Sequence, residues 1–348
     1  MKKKVLLGMS GGVDSSVSAI LLKEKGYEVI GATMQLWKSE DILKEQEDAR
    51  KVCDKLGIKH YVFDATDCFR KNVINNFINC YRCAQTPNPC IECNRNLKFG
   101  YFYEKAKELN CEYIATGHYA NIDYSDKYKS YVIKKSKSKL KDQTYVIYAI
   151  KKEIIPYIIF PLGNFESKDQ IRQIAQDFGI SVANKPDSQE ICFIPDNDYV
   201  NFLKKQGINK NIEGNIVHIN GEILGKHKGI INYTIGQRKG LGISYKNPLY
   251  VVKLDIDKNE VIVGEENYIF KDTLYVKDLN MLVQINEKSF NVKAKIRYSA
   301  KEAEAQLIHK DKNTAKVVFN SPQRAITPGQ SVVFYDDDGV VLGGGKIQ

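Results

Sequence analysis

An α/β fold with a parallel sheet, followed by two β-rich domains, is the architecture the sequence predicts, and three observations predict it. Strand-like and helix-like segments alternate through the first 116 residues. A glycine- and serine-rich turn, Ser10-Gly11-Gly12-Val13-Asp14-Ser15-Ser16, joins the first strand to the first helix. Beyond about residue 205, glycines recur between short β-branched runs. Alternation of strand and helix implies a doubly wound parallel sheet with helices on both faces. The glycine-punctuated runs imply small antiparallel sheets or a barrel.

The elements follow in order. Residues 5–8 read as a short buried strand, and 15–25 have helical periodicity that stops at Gly26. A second strand spans 27–34, a charged amphipathic helix 40–56 ends at Gly57, and a third strand covers 60–64. Residues 69–81 are helical, 86–89 form a proline-rich loop, 97–109 are helical and 113–116 give a fourth strand. Residues 145–182 read as mostly helical, broken at Pro156 and Pro161. β-branched runs then fall at 249–254, 260–263, 291–297, 315–319 and 331–335. One boundary lies near 205 and a softer one near 270, dividing the chain into 1–204, 205–269 and 270–348.

The 348 residues are 43% hydrophobic, enough for packed cores and too many for a disordered chain. No apolar run approaches the roughly 20 residues of a membrane span. Met1-Lys2-Lys3-Lys4 resembles the start of a secretory leader, but the apolar stretch behind it covers only 5–9. A cytoplasmic location is therefore expected. The net charge is +10, and part of the excess is clustered. Residues 127–141 hold seven lysines, and 201–246 hold eight Lys or Arg against Glu213 and Glu222. Such clusters suit a phosphate backbone, or else simply a solvated surface.

Eight cysteines in a cytoplasmic chain point to metal, redox or sulfur chemistry rather than structural disulfides. Cys80, Cys83, Cys90 and Cys93 fall within fourteen residues, and Cys192 stands alone. Cys93 is expected at the start of a helix beside Arg95 and Lys98, where a thiolate would be favoured. Cys53, Cys68 and Cys111 read as small buried hydrophobes.

The turn at 10–16 lacks the spacing of a Walker loop and of a dinucleotide fingerprint. Adjacent glycines still let its backbone aim N–H groups at an anion, with hydroxyls from Ser10, Ser15 and Ser16 and the helix N-terminus adding to the cradle. Together Gly8, Met9, Ser10, Gly11, Gly12, Val13, Asp14 and Ser15 resemble the signature of the PP-loop ATP pyrophosphatases. That resemblance implies cleavage of ATP between the α and β phosphates and adenylation of a carbonyl-type oxygen. Asp14 either orients the loop or helps hold Mg²⁺.

Further blocks resemble the tRNA-specific 2-thiouridylase family, in its order and across essentially the whole chain. They are Thr86-Pro87-Asn88-Pro89-Cys90-Ile91-Glu92-Cys93-Asn94, Ala115-Thr116-Gly117-His118-Tyr119-Ala120, Lys141-Asp142-Gln143, residues 187–194, residues 233–242 and residues 325–330. The resemblance implies that Met34 and Gly117 join the loop in binding ATP. It implies that Cys93 is the nucleophile and Cys192 the persulfide carrier, the two closing a transient disulfide. His118, Lys141, Asp142, Gln143, Arg297, Tyr298 and Gln330 would touch tRNA, with the central domain also in contact. The target would be the wobble uridine, and a cysteine desulfurase, directly or through a relay, would supply sulfur.

The chain departs from the family pattern at Cys90, where many members carry Asp. Cys90, Cys93 and Cys192 are three thiolates able to hold a [4Fe–4S] cluster with one open iron, so sulfur delivery by persulfide or by cluster both stay open. Cys80 and Cys83 form a further C-x-x-C, readable with Cys90 and Cys93 as a zinc site or as incidental residues at a helix end.

Overall fold

A computed structural model of the protein describes residues 2–183, 191–194, 196–208 and 212–348. The 187–190 part of the Cys192 block lies outside the described residues.

The chain opens with β1 (Lys4–Gly8), α1 (Val13–Glu24), β2 (Glu28–Gln35), α2 (Glu40–Leu56) and β3 (Lys59–Asp64). Next come α3 (Thr66–Phe69), α4 (Asn75–Arg82), α5 (Pro89–Cys93), α6 (Phe102–Glu108) and β4 (Tyr113–Ala115). A hairpin of β5 (Ala120–Ser125) and β6 (Ser130–Lys135) precedes the single turn α7 (Thr144–Ile147), the two-residue β7 (Ile158–Ile159), α8 (Lys168–Asp177) and α9 (Tyr199–Lys205).

The first sheet has the order β3-β2-β1-β4-β7, with every pair parallel. Its central strand is buried on both faces. Leu6 belongs to the core beneath α6 and α7, while Val5 and Leu7 belong to the core beneath α1, α2 and α8. This is the period-2 alternation of a strand covered on both sides. The predicted doubly wound sheet is therefore present.

The second sheet, order β10-β11-β8-β9, uses β8 (Gly214–His218), β9 (Ile223–His227), β10 (Tyr250–Asp255) and β11 (Glu260–Gly264). The last six strands are β12 (Phe270–Met281), β13 (Ser289–Lys295), β14 (Ala303–His309), β15 (Ala315–Arg324), β16 (Ser331–Tyr335) and β17 (Val341–Ile347). They close an antiparallel barrel, β12-β15-β14-β13-β16-β17, around its own apolar core. The five β-branched runs of the sequence all fall on strands of these two units.

Three segments differ from expectation. The helix expected at 97–109 begins at Pro89, passes through a π-helical stretch at Asn94–Tyr101 and resumes as α6. The helix expected at 69–81 carries a similar π stretch at Arg70–Ile74. The early start at Pro89 was hidden because residues 86–89 read as a proline-rich loop, although Pro89 occupies the first turn of α5, where a missing N–H costs nothing. Residues 145–182 are less helical than expected, with a 3₁₀ turn at Lys152–Tyr157, β7 and only α8 at full length. The β5–β6 hairpin was hidden among lysines. It docks on the barrel, with Lys135 N–H donating to Gly339 O at 3.0 Å.

The hairpin also changes the meaning of the lysine cluster. Lys127 pairs with Asp336, Lys129 with Asp126, Lys134 with Asp123, Lys135 with Glu302 and Lys137 with Glu166. Much of that positive charge is thus locally matched. No helix among the described residues is long and apolar enough to cross a membrane.

Candidate active site

The glycine-serine loop leaves the carboxyl end of β1, the central strand, where open α/β sheets bind ligands. Gly11 has φ +67°, and a Cβ there would lie 2.5 Å from the carbonyl oxygen of Glu45. Only glycine fits. Gly12 is the N-cap of α1 and supplies no side-chain cap, so the first turn's N–H groups remain for another acceptor. The hydroxyls behave differently from expectation. Ser15 Oγ and Ser16 Oγ both donate to Gly12 O, at 3.0 and 2.9 Å, and Ser10 N–H donates to Ser15 Oγ at 3.3 Å. They shape the loop from within, leaving its backbone to form the cradle.

Neighbouring strands complete it. Thr33 on β2 donates to Met9 O at 2.7 Å and fixes the loop's entry. Met34, next along β2, is half-buried and packs against two of the apolar clusters. Gly117 follows β4, and a Cβ on it would lie 3.0 Å from Asp14 and 3.1 Å from Ser15 N. The residues assigned to ATP therefore surround one loop.

Asp14 is held firmly. Tyr119 Oη donates to its Oδ1 at 2.8 Å, and Lys168 Nζ donates to its Oδ2 at 2.6 Å. Lys168 is the first residue of α8 and is 8% exposed. Sequence reasoning passed over Lys168 and gave Tyr119 no role within its block, because no local pattern ties either to a loop more than a hundred residues away.

The sulfur residues lie on separate elements. Cys90 and Cys93 are on α5, and Cys192 follows the undescribed stretch 184–190. Cys192 thiol is nevertheless within electrostatic reach of both Cys93 and Cys90. Phe193 anchors its loop, with its ring 5.6 Å from Phe69, 5.4 Å from Phe77 and 5.3 Å from Phe202. Cys192 is at the surface as a residue, but protein crowds its sulfur, and burial pushes the thiol up to about 12.

Burial likewise raises Cys90 and Cys93, with Lys98 acting in the opposite direction on both. The expected activation of Cys93 by a helix start is thus corrected. Cys93 closes α5 and the chain winds straight on, so no free helix N-terminus faces it, and desolvation outweighs Lys98. Cys53 and Cys111 are buried as expected, while Cys68 is only half-buried.

Metal fit is a separate matter. Among the described residues, no group of three or more His, Cys, Asp or Glu is arranged to hold a metal ion. Neither Cys90, Cys93 and Cys192 nor Cys80, Cys83, Cys90 and Cys93 form such a group among the described residues. Asp14 has one donor on each carboxylate oxygen, so its first bonds orient the loop.

The residues expected at tRNA divide in two. Tyr298 is exposed, with Lys295 Nζ 5.6 Å from its ring. Lys141 and Asp142 sit on the segment entering α7. Asp142 Oδ1 accepts from Ser136 N–H at 2.9 Å and Oδ2 from Thr144 Oγ1 at 2.6 Å. Gln143 Oε1 accepts from Tyr119 N–H at 3.0 Å. His118 is buried between Phe99 and Phe160, shares a 2.7 Å hydrogen bond with Thr116, and is held neutral by burial. Arg297 donates to Ala325 O at 2.5 Å and Thr327 Oγ1 at 2.6 Å. Gln330 donates to Thr86 O at 2.8 Å. Their side chains brace loops around the site.

A parallel sheet with a glycine-serine anion loop on its first β–α turn defines the class, that of PP-loop ATP-using proteins. Three family models match consecutive stretches: a tRNA methyl transferase HUP domain over residues 3–196, a tRNA methyl transferase PRC-barrel domain over 200–265, and an aminomethyltransferase beta-barrel domain over 271–347. The chain is 51% identical to the tRNA-specific 2-thiouridylase MnmA of Acetivibrio thermocellus, over 100% of this chain and 99% of that one. Against the proteins of the same name from Clostridioides difficile and Caldicellulosiruptor saccharolyticus the identities are 48% and 52%, with the same coverage. The chain belongs to the tRNA-specific 2-thiouridylase family.

Proposed function

We infer that the protein is an ATP-dependent tRNA-uridine 2-sulfurtransferase acting on the wobble uridine. The observation that supports this best is the match of the whole chain to tRNA-specific 2-thiouridylases, in a fold whose central strand feeds an ATP-type loop and whose Cys192 lies within electrostatic reach of Cys93. The C2 oxygen of uracil is a poor leaving group. Attack of that oxygen on the α phosphate of ATP releases pyrophosphate and leaves an adenylated base. The terminal sulfur of a Cys192 persulfide attacks C2, and AMP departs with the original oxygen. Cys93 thiolate attacks the inner sulfur of Cys192, so the S–S bond of the persulfide breaks as a Cys93–Cys192 disulfide forms. A thiol reductant then restores both cysteines.

In this reading Gly8–Ser15, Met34 and Gly117 seat the nucleotide, with Mg²⁺ arriving on its phosphates. A cysteine desulfurase or a relay protein loads Cys192. Domain 1–204 carries the chemistry, and domains 205–269 and 270–348 present tRNA to it. Tyr298 and the basic loop at Arg238 and Lys239 offer exposed tRNA contacts, and half-buried Lys141 offers a further one. The target base leaves its stack to reach the thiols, which suits an anticodon loop.

The test is thiolation of transcribed tRNA with ATP, a desulfurase and a reductant, followed by nucleoside mass spectrometry. Loss of 2-thiouridine in both Cys192→Ser and Cys93→Ser, with ATP binding intact, is the expected result. A Cys192→Ser enzyme that keeps full ATP-dependent product formation would point instead to a PP-loop ligase. Cys90 supports a second reading, in which the three thiolates carry a [4Fe–4S] cluster after moving closer together. Anaerobically purified protein that is iron-free yet thiolates tRNA with a desulfurase eliminates it.

A further inference from the structure

The helix that carries Cys90 and Cys93 is gripped from the far end of the chain. Glu92, between the two cysteines, is 7% exposed, and its Oε1 lies 2.8 Å from Lys346 Nζ on β17. Its Oε2 accepts from Asn96 Nδ2 at 3.2 Å. Lys346 also lies 3.7 Å from Asp278 on β12. The approach to α5 is pinned as well. Thr86 N–H donates to Pro328 O at 2.9 Å, and Gln330 donates to the carbonyls of Thr86 and Pro87 at 2.8 and 3.4 Å. Gly329, at φ +89°, lets the two backbones touch, for a Cβ there would lie 2.9 Å from Thr86 N.

A buried ion pair adds little net stability over apolar packing, because both charges lose water. It is satisfied, however, in only one placement of its elements. A carboxylate set between two sulfur-handling cysteines and matched to a lysine of another domain is therefore a locator. We propose that the C-terminal barrel positions α5 through the Glu92–Lys346 pair, so that Cys93 meets Cys192. Glu92 and Lys346 are positioning residues: they act through the cysteines and touch no reacting atom. The inference rests on the reading of Cys93 as the sulfur-handling thiol.

The experiment uses the full chain with Lys346→Met, Glu92→Gln and the conservative Lys346→Arg. Iodoacetamide labelling of Cys93, followed by peptide mass spectrometry, reports its placement without any turnover. Cys93 is buried in the intact protein. Labelling is expected to rise at least tenfold in Lys346→Met and Glu92→Gln, while 2-thiouridine formation falls at least tenfold and ATP affinity stays within twofold. Lys346→Arg keeps both readouts within threefold of wild type. Unchanged labelling in both disruptive variants overturns the proposal, as does a parallel loss of ATP affinity, which would mark a general structural role. Should Lys346→Met fail to fold, Glu92→Gln decides alone, since it strands no buried carboxylate. A wild-type protein that makes no 2-thiouridine would sink the thiolase reading, whereas the labelling arm judges the positioning role separately.

Discussion

Lys168 Nζ lies 2.6 Å from Asp14 Oδ2, joining the first residue of α8 to the ATP-type loop across the face of the sheet. A lysine at a helix N-terminus opposes the helix dipole, and this one is also stripped of water. Asp14 offsets both costs. Lys168→Met is expected to lower stability by roughly 1–3 kcal/mol by leaving a partly buried carboxylate without its cation. The Lys168→Met/Asp14→Asn double variant should recover part of that loss. Thermal melts across the four-member cycle measure the coupling, and purely additive effects would show that the pair is energetically idle.

Gly11 faces two constraints, a left-handed backbone and the Glu45 carbonyl on α2. Gly11→Ala must move one of them. ATP affinity is expected to fall at least about tenfold, while the fold loses on the order of 1–2 kcal/mol through the left-handed penalty. Equilibrium dialysis with ATP, paired with a melt, separates the two effects. Unaltered affinity would mean that the loop does not receive the phosphates.

The thiols set a pH dependence. Burial raises Cys192 to about 12, so the reactive thiolate is scarce at neutral pH. Alkylation of Cys192 in the nucleotide-free protein should climb about tenfold per pH unit from 7 to 9 and reach no plateau there. A plateau near 8.5 would contradict the crowded sulfur. Stability follows the same sign. Cys53, also raised to about 12 by burial, keeps its proton in the folded state after the unfolded chain has lost it. Its contribution is complete below the ordinary thiol range and is lost as pH rises toward about 12.

Gln330 gives a prediction that separates bracing from tRNA contact. Its amide donates to Thr86 O and Pro87 O. Gln330→Ala should cost about 1 kcal/mol for the lost hydrogen bonds. It should slow thiolation and leave tRNA affinity within twofold by filter binding. A selective loss of tRNA affinity with unchanged stability would return Gln330 to the tRNA surface.

Local signals in the sequence settled a good deal. The strand-turn-helix at β1 and α1 was legible because a buried strand, two glycines and a helical period follow one another within a few turns of chain. The β-branched runs of the barrel were legible for the same reason, since each strand advertises itself alone. Family blocks pointed to Cys93 and Cys192 as candidate sulfur residues despite their separation in sequence.

Tertiary structure decided what depends on distance through space. Asp14 was visible in the sequence, but its double capture by Tyr119 and Lys168 was not. Cys93 looked activated by nearby Arg95 and Lys98, yet burial governs its thiol, and burial is a property of the packed chain. The lysines of 127–141 looked like a bare positive patch until the β5–β6 hairpin brought acidic partners to five of them. Composition and period report what each segment can do by itself. Ion pairing, desolvation and the grip of Lys346 on Glu92 arise only when segments far apart in the chain exclude water together.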